Sequence, residues 1–124
     1  MVLVEAENRS GVAFDENAAA ELILKVLLAE GINEGWVGFQ LVRPRRIRAL
    51  KRDHLGIDEE TDVLAFPIDG GDPLPDGMPR HIGDLVLCPQ VVGEDWRAPV
   101  VHGVLHLVGY NHGPEMESLE RKFL

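Results

Sequence analysis

The chain has a single cysteine, Cys88, a single tyrosine and only 6% aromatic residues, and its 12 Lys and Arg are outnumbered by 21 Asp and Glu. One cysteine excludes an internal disulfide and any zinc cluster built from thiolates of one chain, so a zinc here needs histidines. The formal charge of −9 favours solubility and argues against loose, nonspecific attraction to nucleic acid. No apolar run approaches the roughly 20 residues that span a bilayer, and the opening MVLVEAENRS lacks the basic-then-apolar plan of a signal peptide. The expected setting is therefore cytoplasmic, with no membrane partner. There is no internal repeat, low-complexity tract or interdomain linker. In 124 residues a second core would leave each half too small to offset its chain entropy, so one domain is expected over 1–124.

What is present is an ordinary globular share of hydrophobic residues, 45%, arranged in two periodicities. Residues 2–8 alternate apolar with polar and predict a first strand. Asp15 predicts an N-cap for a helix over Asn17–Glu30, with Ala20, Ile23, Leu24, Leu27 and Leu28 at helical spacing and Gly31 as the stop. Trp36–Val42 predicts a second strand. Pro44 opens a second helix, ended by Gly56, with Ile47 and Leu50 facing inward. Asp62–Ile68 and Ile82–Cys88 predict two more strands, separated by IDGGDPLPDGMPRH, a loop whose length favours a site rim. Pro99 predicts the start of a further helix, Gly109 its end, and Pro114 the start of a last one through Phe123.

Positive charge is concentrated in RPRRIRALKR, residues 43–52, which holds six of the twelve Lys and Arg residues. Arg45, Arg46 and Arg48 are the candidate phosphate-contacting groups of this otherwise acidic chain, with Arg80 a further one.

Three of five histidines fall in HGVLHLVGYNH, His102 to His112. On a helix, positions four apart are stacked neighbours, so His102 and His106 can aim two imidazoles at one point. Gly109 ends the helix, and Tyr110 and Asn111 turn the chain, so His112 can return to the same point. Burying three imidazoles among Val101, Val104, Leu105, Leu107 and Val108 without partners would be costly, which favours a metal. Three protein ligands with an open fourth position define a catalytic rather than a structural zinc, able to lower the pKa of a bound water. Gly103 stands where an H-E-x-x-H protease carries its glutamate base, which argues against that protease type. His54 and His81 are read as surface or loop residues, with His81 able to edge the cleft, and Cys88 as a small buried residue.

The histidine stretch resembles the signature of the YbeY family, H-G-x-L-H-L-x-G-Y-D-H, at ten of eleven positions. TDVLAFP (Thr61 to Pro67) and IGDLVLCPQVV (Ile82 to Val92) resemble two further blocks of that family in the same order. The resemblance implies an α+β fold with a small mixed four-stranded sheet, helices packed on it and the metal site on a C-terminal helix-turn. It implies one zinc per chain on His102, His106 and His112. It also implies cleavage of single-stranded RNA in maturation of small-subunit ribosomal RNA and in ribosome quality control. Asn111 replaces the family's aspartate, removing a carboxylate that could orient a ligand. Leu55 stands where many members carry an arginine; Arg80 or the Arg45, Arg46, Arg48 group is the expected replacement. Only Gly93–Pro99 separates the last strand block from the histidine helix, where the family has a longer segment with a further helix. Val63, Leu64, Phe66, Leu85 and Val86 are expected in the core, whereas Thr61, Asp62 and Asp84, polar groups at strand ends, are candidates for the cleft. The catalytic candidates are Asn111, Thr61 and Asp84. Two rival readings follow from the same residues: a non-catalytic ribosome-assembly factor with a structural metal, and a zinc hydrolase of a small-molecule ester.

Overall fold

The computed structural model describes all 124 residues, Met1–Leu124. Strand β1 (Val2–Asn8) lies parallel to β2 (Gly35–Leu41), with Val2 opposite Gly35 and Asn8 opposite Leu41. Parallel neighbours cannot be joined by a tight turn, so the chain crosses between them through α1 (Glu16–Ala29). Asp15 caps α1, accepting from the Ala18 N–H at 3.0 Å. At its other end Gly31 adopts φ +81°; its N–H donates to the Leu28 carbonyl at 3.1 Å, and the Ile32 N–H donates to Leu27 at 2.9 Å. That pair of bonds is the Schellman reversal, which satisfies the last helical carbonyls. The buried stripe is Ala19, Ile23, Val26 and Leu27, while Leu28, expected inward, is 58% exposed. Apolar residues occupy two overlapping stripes of this helix, and only packing chose between them.

After α2 (Pro44–Leu55), closed by Gly56 at φ +72°, come β3 (Val63–Pro67) and β4 (His81–Leu87). Strand β4 inserts parallel to β2 and antiparallel to β3, giving the mixed order β1-β2-β4-β3. Helix α4 (Arg97–Leu107) and α5 (Pro114–Phe123) complete the chain. Between β4 and α4 lie Cys88, the single helical turn α3 (Pro89–Val92) and residues 93–96, and no periodicity long enough to predict α3 exists in four residues. Pro99 is the third residue of α4 rather than its first; the opening N–H groups of any helix lack partners, so proline is tolerated throughout the first turn.

Helices α1, α4 and α5 cover one face of the sheet over a core of 20 buried residues that includes Ile23, Phe39, Leu85, Val101, Leu105 and Met116. Helix α2 covers part of the other face, where Ile47 packs with Val42, Leu64, Val86 and Cys88, and Leu50 flanks them. Burial pushes the Cys88 thiol above its usual range, so it is held as the unreactive neutral form. Gly103 sets the approach of α4: a Cβ there would run into the Leu85 side chain and stand 3.2 Å from Val63 Cγ2. No helix is long and apolar enough to cross a membrane.

Residues 68–80, expected to rim the site, do not reach it. The Asp69 N–H donates to the His81 carbonyl at 2.9 Å, and the His81 N–H donates back to Asp69 Oδ2 at 2.9 Å. These bonds fold the loop along the start of β4, where Leu74 to Arg80 line a separate depression with Leu3, Glu34 and Trp36.

Candidate metal centre

Helix α4 presents His102 and His106 one turn apart on a single face, and Gly109 makes the turn that the third histidine needs. At φ +103°, Gly109 donates its N–H to the His106 carbonyl at 3.1 Å, while the Tyr110 N–H donates to Leu105 at 3.1 Å. This second Schellman reversal sends the chain back along the helix end. His112 therefore returns to the other two: the ring centroids lie 4.5 to 4.9 Å apart, and one ligand atom from each histidine falls within 4.8 Å of the others.

The hydrogen bonds decide which nitrogens point inward. His106 Nδ1 lies 2.9 Å from the Tyr110 carbonyl oxygen, which can only accept, so that nitrogen carries the proton. His102 Nδ1 lies 2.5 Å from Glu120 Oε1 on α5, again an acceptor. With Nδ1 turned to an acceptor in both rings, the inward nitrogens are the two Nε2 atoms, which face each other at 3.0 Å. Two ring nitrogens at that separation are bridged by a proton or, in its place, by a metal ion, and with His112 beside them the donor set fits a metal ion. Burial, reinforced by the neighbouring His102 and His112, pushes His106 below the usual histidine range and keeps it in the neutral, ligating form.

Glu120 is the residue that sequence reasoning missed. It sits eighteen positions after His102 on another helix, and only the packing of α5 against α4 brings it to the ring. The signal available was its place on the inward side of α5, three and four residues from Phe123 and Met116, both buried. A carboxylate behind a ligating imidazole fixes its tautomer and raises its basicity. Glu120→Gln is expected to lower metal affinity about 10- to 100-fold while leaving the fold intact. Titration of the metal-free variant with zinc, followed by calorimetry, checks this; wild-type affinity would mean that Glu120 is a bystander.

The histidines open into a cleft of about 830 Å³ walled by α2, β3 and the end of α4. Thr61, Asp62 and Asn111 line it, so the Thr61 and Asn111 candidates lie beside the cluster. Asp62 accepts from the Val63 N–H at 2.7 Å, which holds the entry to β3. His54, read as a surface residue, also lines the cleft, with its ring 5.0 Å from that of Phe66.

Asp84 is elsewhere. Leu85 packs toward Gly103 of α4, so the side chain of Asp84 projects from the opposite face of the sheet. There its Oδ1 lies 3.1 Å from His81 Nε2, and the His81 ring stacks on Trp36 at 3.6 Å and 7°. A register shift between Trp36 and Val37 puts an irregularity into β4, which is how residues three apart share that face. His81 is consequently not at the edge of the histidine cleft.

The four arginines are not in the cleft either. Arg48 is engaged by Asp58 through Nε at 2.7 Å. Arg46 lines a shallow pocket with Arg9 and Arg43, and Arg45 is exposed on α2. Arg80 donates to the Gly70 carbonyl at 2.8 Å, at the loop end of the sheet. The Tyr110 phenol is pushed up to about 12 by the Glu30 carboxylate, so it stays protonated.

A family model described as Endoribonuclease YbeY matches residues 4–123. A curated protein of that name from Alcanivorax borkumensis is 34% identical over 127 residues, covering 89% of this chain and 73% of its own. Another, from Chromohalobacter salexigens, is 32% identical over 142 residues, covering 89% and 90% respectively. The solution structure of TM1509 from Thermotoga maritima superposes with a TM-score of 0.56 at 25% sequence identity, over 99% of this chain and 86% of that one. With the histidine cluster, the mixed sheet and these matches in agreement, the chain belongs to the endoribonuclease YbeY family.

Proposed function

We propose that the protein is a zinc-dependent, single-strand-specific endoribonuclease that acts in the cytoplasm on small-subunit ribosomal RNA, in its maturation and in ribosome quality control. The observation that carries the chemistry is the pair of inward Nε2 atoms of His102 and His106, 3.0 Å apart, with His112 beside them at the mouth of an open cleft. Three imidazoles suit zinc, and three protein ligands leave one coordination position for substrate or solvent. The cluster comprises those three histidines and no fourth His, Cys, Asp or Glu, which favours an open site over a purely structural one.

A zinc held here supplies Lewis-acid polarisation of a phosphodiester oxygen. The rest falls to the chain. Glu120 and the Tyr110 carbonyl hold two ligand rings in one tautomer. Thr61 and Asn111 line the cleft, and in this reading their hydroxyl and amide hydrogen-bond a strand lying over β3. An unpaired strand can press its backbone into a depression of this size, whereas a duplex keeps its phosphates on a rigid outer surface. Arg45 and Arg46 extend a positive surface along α2 beyond the cleft, where the departing strand would run.

The test is cleavage of a labelled single-stranded RNA and of the same sequence as a duplex, by zinc-loaded and chelator-stripped protein. Cutting of the single strand alone, lost on chelation and restored by zinc, is the expected result. Hydrolysis of a generic ester that RNA fails to inhibit would sink this reading in favour of a small-molecule hydrolase.

A further inference from the structure

A cleft that admits RNA to a chain of net charge −9 needs a local cation, and the expected ones lie outside it. Of the residues lining the cleft, Lys51 is the one lysine or arginine. It stands on α2 one turn before Leu55, which also lines the cleft, so the two share a helix face. Its side chain is only 15% exposed, whereas that of its ion-pair partner Glu59, with Nζ to Oε1 at 2.7 Å, is 63% exposed. The cation is thus held by its surroundings and the anion is loosely held.

We propose that Lys51 is the phosphate-binding residue of this cleft, and that the Glu59 carboxylate occupies the phosphate position until RNA displaces it. This rests on the endoribonuclease reading and names a contact that reading leaves unassigned. The Glu59 half of the pair is mostly exposed, so its carboxylate is weakly held and a phosphate oxygen can exchange for a carboxylate oxygen with little loss. Lys51 meanwhile keeps an anionic partner before and after the exchange. An ammonium suits the task, since it contacts a phosphate as a point charge without needing one fixed approach. Leu55 offers no charge, which leaves the role to the residue a turn away.

The experiment measures binding of a short single-stranded oligoribonucleotide to metal-free protein by fluorescence anisotropy across a salt series. Wild type, Lys51→Met, Lys51→Arg and Glu59→Gln are compared, each with its zinc content determined after reloading. Lys51→Met is expected to weaken binding about ten-fold and to reduce the salt slope by about 0.7, the value for one phosphate on a single strand. Lys51→Arg restores both, and Glu59→Gln tightens binding. Zinc content stays at the wild-type level in all four. If wild type binds RNA and Lys51→Met binds equally well with an unchanged slope, the assignment to Lys51 is wrong and the endoribonuclease reading stands. Wild-type protein that does not bind the strand at all overturns both.

Discussion

Replacing His106 with alanine is expected to release the metal and abolish cleavage of single-stranded RNA, with little change in the fold. His106 supplies one of the two Nε2 atoms that face each other at 3.0 Å, so its loss removes both a ligand and half of that convergence. Apparent zinc-binding free energies of about 10–16 kcal/mol in four-ligand sites correspond to roughly 2.5–4 kcal/mol per ligand. The variant should therefore bind zinc about 100- to 1,000-fold more weakly. The side chain is half-buried at the cleft, not in the 20-residue core, so far-ultraviolet circular dichroism should match wild type. Metal content by mass spectrometry and RNA cleavage at saturating zinc are the two readouts. An alanine variant that cleaves as wild type does would show that the histidines are not the reactive centre.

The second large effect is on the fold. Gly103→Val is expected to destabilise the protein by about 3 kcal/mol or more, because a Cβ at this position collides with Leu85 and the two added methyl groups have nowhere to go. The collision occurs between a helix and the sheet centre, where interior packing leaves few voids to absorb it. A substitution at Gly109 makes a useful contrast. A Cβ there meets nothing within 4 Å, but φ +103° disfavours any side chain, so Gly109→Ala is expected to cost about 1–2 kcal/mol through conformation alone. Thermal unfolding should rank wild type above Gly109→Ala and Gly109→Ala above Gly103→Val, with the last melting roughly 10 °C or more below wild type. Zinc affinity should fall in both variants, since one tilts α4 beneath His102 and His106 and the other alters the turn that returns His112. A Gly103→Val protein with wild-type melting would mean that α4 does not sit as close to β4 as Gly103 allows.

Much of this was legible in residue order. Asp15 and Gly31 bracket α1 because a side-chain acceptor and a left-handed residue are local requirements of helix ends. The same local chemistry makes Gly109 a break, and two histidines four apart then share a face whatever lies around them. The misplaced residues have the opposite character. Leu28 could not be told from Val26 by spacing, and Asp84 looked like a strand-end group until the register irregularity and the packing of Leu85 fixed which face it takes. The basic cluster was visible as six cations in ten residues, but a helix shows different residues to different neighbours. Its cleft-facing cation proved to be Lys51 rather than Arg45, Arg46 or Arg48.

The sequence by itself determined the three clustered histidines and the turn that gathers them, the positions of four strands and four of the five helices, and the absence of any thiolate alternative. Each depends on neighbours within about one helical turn or on counting residues. Only the tertiary structure decided that Glu120 backs His102, that His54 lines the cleft while His81 does not, and that the long loop serves another edge. Those facts turn on which elements pack together, and side chains eighteen or more residues apart meet only after the whole chain has minimised its exposed apolar surface.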